Sequence, residues 1–355
     1  MSGSRWAVFG AALAFAVAFV ASCSHGAGGG GGAAAAASAS GGSSGGTGLQ
    51  PPAGMWLKGD LHVHTTHSGD AQQYGDDIAT VIRCCERAGL DFTTISDHRN
   101  GACLTDPQFT GAQTSLVLIP GTEWGGSGHA GAHGITRDPI YYSETGATAA
   151  DIVKNTQAAI DDVHSMGGIF VLNHAIDDKC PWLWPVDRFD AIEVWNQPWA
   201  LRNVTDQTAA DLQTWIAQRG MGGQSGVMPP PEVSAAIAVR GGGQNWQRLH
   251  LYEAYLSSGH HIAAVGGSDA HYLVLPGSPT TEVFAAARTR DAILDAIREG
   301  HTQVARAPDA PTLDFTADRD GDGIFETIVG DRVPLGRPVT FKMHVVGAQG
   351  GRIDL

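Results

Sequence analysis

The sequence has few cysteines, the residues that form thiolate metal sites. It has five cysteines in 355 residues, and no two of them form a Cys-x-x-Cys pair, which argues against a thiolate zinc site. Cys84, Cys85, Cys103 and Cys180 remain once Cys23, discussed below, is set aside. Outside the cytoplasm they could form disulfides, and Cys103–Cys180 is the pairing we favour because adjacent cysteines rarely bond each other. Four thiols packed as small core residues are an equally good interpretation.

Positive charge is also scarce. The chain has 22 Lys plus Arg against 36 Asp plus Glu, a formal net charge of −14, and no long run of Lys or Arg. Such a chain repels a phosphate backbone, so we expect a small-molecule substrate and no nucleic acid. A small anionic substrate is compatible with this charge only if bound cations reverse its sign locally.

The N-terminal apolar run is too short and too Ala-rich to favour a permanent membrane-spanning helix. It extends from Trp6 to Ala21 after Arg5, as is typical of a secretory signal over residues 1–22. The following Cys23 completes a Val-Ala-Ser-Cys sequence that resembles the lipobox of bacterial lipoproteins, which implies lipidation of Cys23. An ordinary signal with a chance cysteine is the alternative. Residues 23–54, rich in Gly, Ala and Ser, predict a flexible tether, so we expect an exported protein anchored to a membrane and facing the periplasm or the cell surface.

From Trp56 to about Ala305, short apolar runs alternate with amphipathic helical patterns. The predicted strands are Leu57–His64, Phe92–Ile95, Leu116–Ile119, Ile169–Leu172, Ala191–Val194 and Ile262–Val265. The predicted helices are Asp77–Ala88, Ala149–Ser165, Asp206–Gln218, Trp246–Ser258 and Thr289–Glu299. This alternation predicts an α/β fold with a buried parallel sheet, and barrel closure would place functional residues at the carboxyl ends of the strands.

Changes in composition divide the chain after the tether into a predicted catalytic domain with an insertion and a C-terminal appendage. Residues 55–307 form the predicted catalytic domain, and residues 203–243, rich in Gly and Pro, read as an insertion, either a mobile surface loop or a lid. Residues 308–355 predict a small β appendage, minimal or truncated. Its predicted strands are Thr312–Ala317, Ile324–Val329 and Pro338–Val346.

Candidate metal ligands follow the predicted strands. In the first strand, the alternation of side chains puts His62 and His64 on one face. An isolated His-x-His is more often a pair of surface residues, but here the pattern repeats at later strand ends. The later motifs are Asp97-His98, Gly121-x-Glu123, Asn173-His174 and Asp269-x-His271. Histidine and carboxylate ligands without cysteine suit catalytic zinc, manganese or iron.

This ordered set of five motifs resembles the PHP (polymerase and histidinol phosphatase) superfamily over about residues 56–305. The segments 190–196 and 277–281 further resemble its CehA/McbA-type metallohydrolase branch. The resemblance implies a distorted (β/α)7 barrel with two or three divalent transition-metal ions (Zn, Mn or Fe). By motif position, it implies three ligand sets: His62, His64, Glu123 and Asp269; Glu123, His129 and His174; and Asp70, His98 and His271.

Several assignments stay open at this stage. His67 competes with Asp70, and His133 competes with His129. Asp97 and Asp269 are candidates to steer the attacking water or act as general base, and Asp97 is equally suited to orient His98. Arg202, in a loop with two tryptophans, is a candidate anion clamp, unless the tryptophans simply pack there.

The leading functional hypothesis is a lipid-anchored phosphoesterase that uses metal-activated water. The second keeps the metals but cleaves a carboxylic ester, carbamate or amide. The third is a metal-bearing binding lipoprotein without turnover. The sequence leaves the oligomeric state open.

A second acidic motif lies in the appendage. Asp318, Asp320 and Asp322, followed by Gly323, resemble the beginning of a calcium loop. A complete EF-hand is excluded because Val329 stands where the bidentate glutamate would be. A calcium-stabilised hairpin and a solvated turn are the two interpretations that remain.

Overall fold

The computed structural model describes residues 6–8, 52–126, 128–196, 204–208, 210, 211, 214, 230–239, 241–271, 276–334 and 336–349. The predicted lipidation site Cys23 and the candidate anion clamp Arg202 lie outside these residues, as does nearly all of the signal and tether. The predicted helix Asp206–Gln218 lies largely outside them too, although residues 206–208 are helical. Within the described part of the chain, no helix is both long enough and apolar enough to cross a membrane.

The structure has two main sheets and a short strand pair. The strands are β1 (Trp6–Val8), β2 (Met55–Asp60), β3 (Phe92–Ile95), β4 (Val117–Gly125), β5 (His129–His133), β6 (Ile169–Leu172), β7 (Ala191–Asn196), β8 (Ala263–Gly267), β9 (Thr280–Ala285), β10 (Thr302–Ala305), β11 (Thr312–Asp318), β12 (Thr327–Ile328), β13 (Arg332–Pro334) and β14 (Thr340–Val346). The helices are α1 (Ile78–Ala88), α2 (Pro107–Thr110), α3 (Ala149–Ser165), α4 (Pro231–Ala238), α5 (Gly243–Ser257) and α6 (Arg290–Arg298).

The large sheet is almost a closed barrel. Its strand order is β10-β9-β2-β3-β4-β5-β6-β7-β8, with parallel pairs β2–β3, β3–β4, β6–β7 and β7–β8. Threonines connect β8 to the opposite end of the sheet: Thr302 Oγ1 donates to Ala264 O at 2.7 Å, and Gly266 N donates to Thr281 Oγ1 at 2.8 Å. The α/β class with a barrel-like sheet is confirmed. The nine strands exceed the seven implied because β5 and β10 add antiparallel pairings.

Helix boundaries follow their capping residues. Asp77 caps α1 by accepting Thr80 N at 2.8 Å, and the helix ends at Gly89, whose φ of 77° suits glycine. Thr148 and Asp151 form a reciprocal capping box at the beginning of α3. The apolar face of α1 packs beside Ile95 and Val63. That packing fixes the loops that follow β2 and β3.

Several elements and one disulfide differ from the sequence predictions. The predictions omitted strands β1, β5, β9, β10 and β13 and helices α2 and α4. Strand β5 is His-Ala-Gly-Ala-His, which has little intrinsic strand preference and is held by pairing with β4 and β6. The Cys103–Cys180 disulfide is wrong, because both cysteines are free. Cys103 is buried and its thiol faces the carbonyl of Gly121 at 3.6 Å, whereas Cys180 lies 3.2 Å from Asp177 Oδ2.

The appendage is a three-stranded antiparallel sheet of order β12-β11-β14 with a small core of Phe315, Ala317 and Val333. The predicted strand Ile324–Val329 shortens to Thr327–Ile328 because the acidic motif before it forms a loop. His301 Nε2 lies 3.0 Å from Asp331 Oδ1, linking the appendage to the chain that precedes it.

Candidate metal centre

The predicted ligands meet at one end of the large sheet. The bridge Val63↔Ala270 pairs the segments that follow β2 and β8, and the bridge His98↔Glu123 pairs the segment that follows β3 with β4. The end of β6 adds His174 and β5 adds His129. The four parallel pairs explain this, because their carboxyl ends lie at the same edge of the sheet.

The first predicted ligand set, formed by His62, His64, Glu123 and Asp269, is the most compact. His62 Nε2 lies 3.0 Å from His64 Nε2, 3.1 Å from Glu123 Oε1 and 3.2 Å from Asp269 Oδ1. His64 Nε2 lies 3.2 Å from the same Asp269 oxygen. All four residues are buried. Their ligand atoms therefore surround one point from which water is largely excluded.

The second and third sets lie on either side of Glu123. His174 Nε2 is 3.0 Å and His129 Nδ1 is 3.4 Å from Glu123 Oε1. On the other side, Asp70 Oδ2 is 3.2 Å from both His98 Nε2 and His271 Nε2. His98 Nδ1 lies 2.7 Å from Glu123 Oε2. Glu123 thus touches ligands of all three sets, the position of a bridging carboxylate.

The competing histidines lie elsewhere. His67 Nε2 pairs with Asp106 Oδ2 at 2.8 Å, away from the cluster. His133 is fully buried, and neither of its ring nitrogens has a hydrogen-bond partner. Burial, with a smaller contribution from the charge of His62, lowers the pKa of His133 to about 3. The structure therefore places Asp70 and His129, rather than His67 and His133, at the cluster.

In four histidines, the ring nitrogen that faces away from the cluster, Nδ1, lies within hydrogen-bond distance of an acceptor. The Nδ1–H of His62 donates to Glu193 Oε1 at 2.9 Å, and that of His174 faces Asp177 Oδ2 at 3.0 Å. His64 Nδ1 donates to Ser68 Oγ at 2.9 Å and His271 Nδ1 to Asp269 O at 3.0 Å. These contacts assign the proton to Nδ1 and leave each Nε2 as a potential metal ligand.

The Asp97 carboxylate supports the cluster through its hydrogen bonds to Thr65 and Ser68. Its carboxylate accepts Thr65 N at 2.6 Å, Thr65 Oγ1 at 2.8 Å and Ser68 Oγ at 2.9 Å. Ser68 in turn accepts from His64 Nδ1 and from the backbone N–H of His98. This geometry gives Asp97 a positioning role through Ser68 and does not place it against a reacting group.

The cluster attracts positive charge. With both Nδ1 atoms protonated, the facing Nε2 atoms of His62 and His64 present lone pairs 3.0 Å apart, which is repulsive unless a cation or a proton lies between them. Burial alone would lower the pKa of His62, but the facing carboxylates of Asp269, Glu123 and Glu193 raise it well above its usual value. Glu123 Oε2 and His129 Nδ1 are buried without an aligned hydrogen-bond partner. Histidine and carboxylate donors in this state fit divalent transition-metal ions.

The backbone is strained at the same place. Among the described residues other than glycine, four have positive φ: His174 (28°), Asp269 (52°), Arg99 (47°) and Arg188 (62°). The first two are predicted ligands and Arg99 follows a third, His98. Such conformations cost energy and concentrate at functional sites, so three of the four mark this end of the sheet.

Sequence reasoning missed the residues that orient the ligands. Glu193 accepts His62 Nδ1, His174 N at 2.7 Å and Asn196 Nδ2 at 3.0 Å. Asp177 and Ser68 have the same role for His174 and His64. Cys180, whose thiol lies with the ring nitrogens of His129 and His174 in a group of ligand atoms within 4.8 Å of one another, was also missed as a neighbour of the site. The only sequence signal was that Glu193 lies in one of the segments of family resemblance.

The acidic motif of the appendage is a separate loop. Asp318 Oδ1 and Oδ2 accept Gly321 N at 2.6 Å and Gly323 N at 2.9 Å, and Asp322 Oδ1 accepts Ile324 N at 2.8 Å. Asp320 Oδ1 has one contact, with Asp322 N at 3.3 Å. These bonds shape the loop but do not test calcium binding, which stays a prediction.

Comparisons with known proteins agree with the motif assignment. A family model described as PHP-associated matches residues 253–302, which include Asp269 and His271. The resemblance to the PHP superfamily is thereby confirmed over this segment, and the CehA/McbA branch stays a prediction. Comparison with curated protein sequences finds no match.

Three solved structures are similar to parts of this chain. A two-domain Bacteroides vulgatus protein containing a predicted PHP-like metal-dependent phosphoesterase is 16% identical, with 75% of this chain and 70% of that chain covered and a TM-score of 0.41. PsfC from Pseudomonas syringae is 15% identical, with 70% and 90% covered and a TM-score of 0.37. The lesion-specific endonuclease PfuEndoQ from Pyrococcus furiosus is 11% identical, with 70% and 58% covered and a TM-score of 0.38. These identities and overlaps are too low to transfer a function.

Proposed function

From the PHP-associated segment and the converging ring nitrogens, we propose that this protein is a metal-dependent hydrolase that cleaves phosphate esters of small molecules. Two or three divalent ions (Zn, Mn or Fe) would be held by the three ligand sets described above. The observation that carries the proposal is the pair of Nε2 atoms of His62 and His64, 3.0 Å apart, each with its Nδ1 already committed to an acceptor. With both Nδ1 atoms donating, a cation or a proton has to lie between the two Nε2 atoms.

When bound, such ions make water nucleophilic near neutral pH and stabilise negative charge on a phosphoryl oxygen. The chain supplies a fixed frame for this chemistry. Glu193, Ser68 and Asp177 hold three imidazole rings so that their Nε2 atoms point inward. A preorganised set of this kind needs no rearrangement as charge develops in the transition state.

Exposure indicates the side from which substrate enters. The side chains of His62, His64 and Glu123 are at most 1% exposed, whereas Asp70 is 56% and His98 28% exposed. Substrate therefore approaches from the set formed by Asp70, His98 and His271. Asp269, in contact with His62 and His64, is better placed as a ligand than as a free general base.

Export and lipid anchoring through Cys23 belong to the same proposal. Their support is the apolar run after Arg5 and the lipobox-like sequence that ends at Cys23. Lipid anchoring would hold the hydrolase at a membrane surface, where it would act on small molecules outside the cytoplasm.

The test combines metal content with a substrate panel. We expect the full-length protein, purified in detergent, to bind two or three transition-metal ions per chain and to hydrolyse phosphoesters but not an aryl carboxylic ester with Mn²⁺ or Zn²⁺ added. His62→Ala/His64→Ala should lose at least one ion and lower turnover by about a thousandfold or more, because it removes groups that hold the charge-stabilising ions.

The matched control is His260→Ala/His344→Ala, two histidines outside the cluster whose ion pairs are with Asp187 and Asp314. It should leave both readouts unchanged. Cleavage of the carboxylic ester alone would favour the ester, carbamate or amide hydrolase. Full metal content without any turnover would favour a metal-bearing binding lipoprotein.

A further inference from the structure

Asn196 lies at the end of β7, between a carboxylate that orients a predicted ligand and a predicted ligand itself. Its Nδ2 donates to Glu193 Oε2 at 3.0 Å and lies 3.5 Å from Asp269 Oδ2. Glu193 holds Nδ1 of His62, and Asp269 Oδ1 lies 3.2 Å from His62 Nε2. The amide of Asn196 therefore joins the two carboxylates that contact opposite nitrogens of one imidazole ring.

A β-bulge turns Asn196 toward the cluster. Side chains alternate along a regular strand, so residues three apart face opposite sides of the sheet. The pairing of β7 with β8 shifts register between Glu193 and Trp195, and the side chains of Glu193 and Asn196 are both buried and in contact. Bulges next to active sites redirect side chains in this way. Gly267, the β8 partner of Asn196, gives the carboxylate room, because a Cβ atom there would overlap Glu193 Oε1.

One side chain of α5 holds the backbone of Asn196. Asn245 Oδ1 accepts Asn196 N at 3.1 Å, and Asn245 Nδ2 donates to Asn196 O at 3.0 Å. The same Asn245 oxygen accepts Arg248 Nη1 at 2.5 Å. Two donors on one oxygen fix the orientation of the Asn245 amide. Arg248 therefore supports the position of Asn196 through Asn245.

Arg248 donates to neutral oxygens only. It is fully buried, its Nη2 donates to Gln244 Oε1 at 3.3 Å, and among the described residues no carboxylate lies within ion-pair distance of it. Burial lowers the pKa of this guanidinium, and the nearby charges of Glu193, Asp177 and Asp269 oppose that shift. A permanent cation beside a centre that binds divalent ions lowers its affinity for them. A rigid fork of donors, in contrast, is suited to fixing an amide, so the charge and the geometry of Arg248 have opposite effects on metal binding.

We propose that Asn196 is a positioning residue of the candidate metal centre, whose amide fixes the Glu193 carboxylate against His62. Arg248, acting through Asn245, keeps that amide in place. The inference deepens the proposed hydrolase function and rests on it for the effect on turnover. Its effect on metal binding is measurable without any turnover.

The first variant is Asn196→Leu, which removes the amide but keeps the size of the side chain and the backbone bonds to Asn245. We expect the affinity of the full-length protein for Mn²⁺ or Zn²⁺, measured by competition with a chelating dye, to fall by about 10–100-fold. With metal saturating, kcat for phenyl phosphate should fall by about tenfold or more while KM changes less than about twofold, because the frame and not substrate binding is altered. An unchanged metal affinity would overturn the proposal, whatever the change in Tm.

The matched control is Asn155→Leu, the same exchange at a half-buried position of α3. It should leave both metal affinity and kcat unchanged. A loss of affinity in the control as large as that in Asn196→Leu would overturn the proposal, because the position beside Glu193 would then not matter.

Arg248→Met separates the geometry of the arginine from its charge. If Arg248 acts through the amides, metal affinity should fall by about threefold or more, and it should not fall further in the Asn196→Leu background, where the residue that transmits the effect is gone. Tighter metal binding would mean that only the charge acts on the centre. Unchanged binding with a lower Tm would mean that the arginine only supports the fold. Either result would overturn the role assigned to Arg248.

Metal binding keeps this inference distinct from the hydrolase proposal. If the wild type binds metal but cleaves no ester, the hydrolase proposal fails, and the affinities of Asn196→Leu and its control still decide the role of Asn196. A wild type that binds no metal would overturn both.

Discussion

Two acidic regions of this chain were predicted to bind metal ions, and the structure uses their carboxylates differently. Asp60, two residues before His62, is fully buried and accepts three backbone N–H groups: His62 at 3.0 Å, Ser268 at 3.1 Å and Gly277 at 2.6 Å. Asp318 in the appendage accepts two, from Gly321 and Gly323 of its own loop. The first carboxylate joins segments more than 200 residues apart, and the second only shapes a turn.

The ligand atoms of the two regions differ in the same way. At the barrel end, Glu123 Oε2 and His129 Nδ1 are buried without an aligned hydrogen-bond partner, while Nδ1 of His62 and of His64 is held by an acceptor. In the appendage, the carboxylates of Asp318 and Asp322 accept hydrogen bonds from backbone N–H groups of their own loop. A metal centre is indicated by potential ligand atoms that have no hydrogen-bond partner and whose side chains are held in place by neighbouring residues. An acidic composition alone does not provide such atoms.

Asp60→Ala should produce the largest change in stability. It leaves three buried N–H groups without an acceptor, at about 1–3 kcal/mol each, so we expect the free energy of unfolding to fall by about 3 kcal/mol or more. The matched variant Asp318→Ala should cost about 1 kcal/mol, because Gly321 and Gly323 are exposed and water can replace the carboxylate. Denaturant unfolding of both variants checks this; equal losses would contradict the contrast between the two regions.

Glu193→Gln should weaken metal binding by about 10–100-fold with a smaller effect on folding. The amide keeps one oxygen for His62 Nδ1, but its NH₂ group cannot accept from His174 N and Asn196 Nδ2 as the carboxylate does. Competition with a chelating dye measures the affinity. Glu282→Gln, a buried glutamate beside Lys58 and away from the cluster, is the control and should not change it.

Asp320→Asn should have the smallest effect. Its side chain is exposed and makes one contact of 3.3 Å, so in EDTA the free energy of unfolding should change by less than about 0.5 kcal/mol. The same pair of proteins tests the calcium prediction, since added Ca²⁺ should raise the Tm of the wild type and not that of the variant. No shift in the wild type would leave the loop as a solvated turn.

The sequence predicted the elements whose local signals agree with their surroundings. Helix Ala149–Ser165 begins where predicted because Thr148 and Asp151 cap it, and strands Phe92–Ile95 and Ile169–Leu172 are buried throughout and rich in β-branched and aromatic residues. Strand β5 was not predicted because alanine and glycine favour a strand only when neighbouring strands pair with it. The acidic loop shortened the predicted strand Ile324–Val329 for the opposite reason: local side chain-to-backbone bonds replaced sheet pairing.

The sequence by itself determined which residues are candidate ligands, because histidines and carboxylates recur at the ends of predicted strands and strand order determines where those ends meet. It could not determine which candidates face the centre, as the positions of His129 and His133 illustrate. These residues are four apart on one strand, and the pairing of β5 with β4 and β6 puts one at the cluster and the other in the interior. The partners that orient each ring, Glu193 for His62 and Asp177 for His174, also depend on long-range packing, since hydrogen bonds between residues far apart in sequence form only when the barrel-like sheet brings them together.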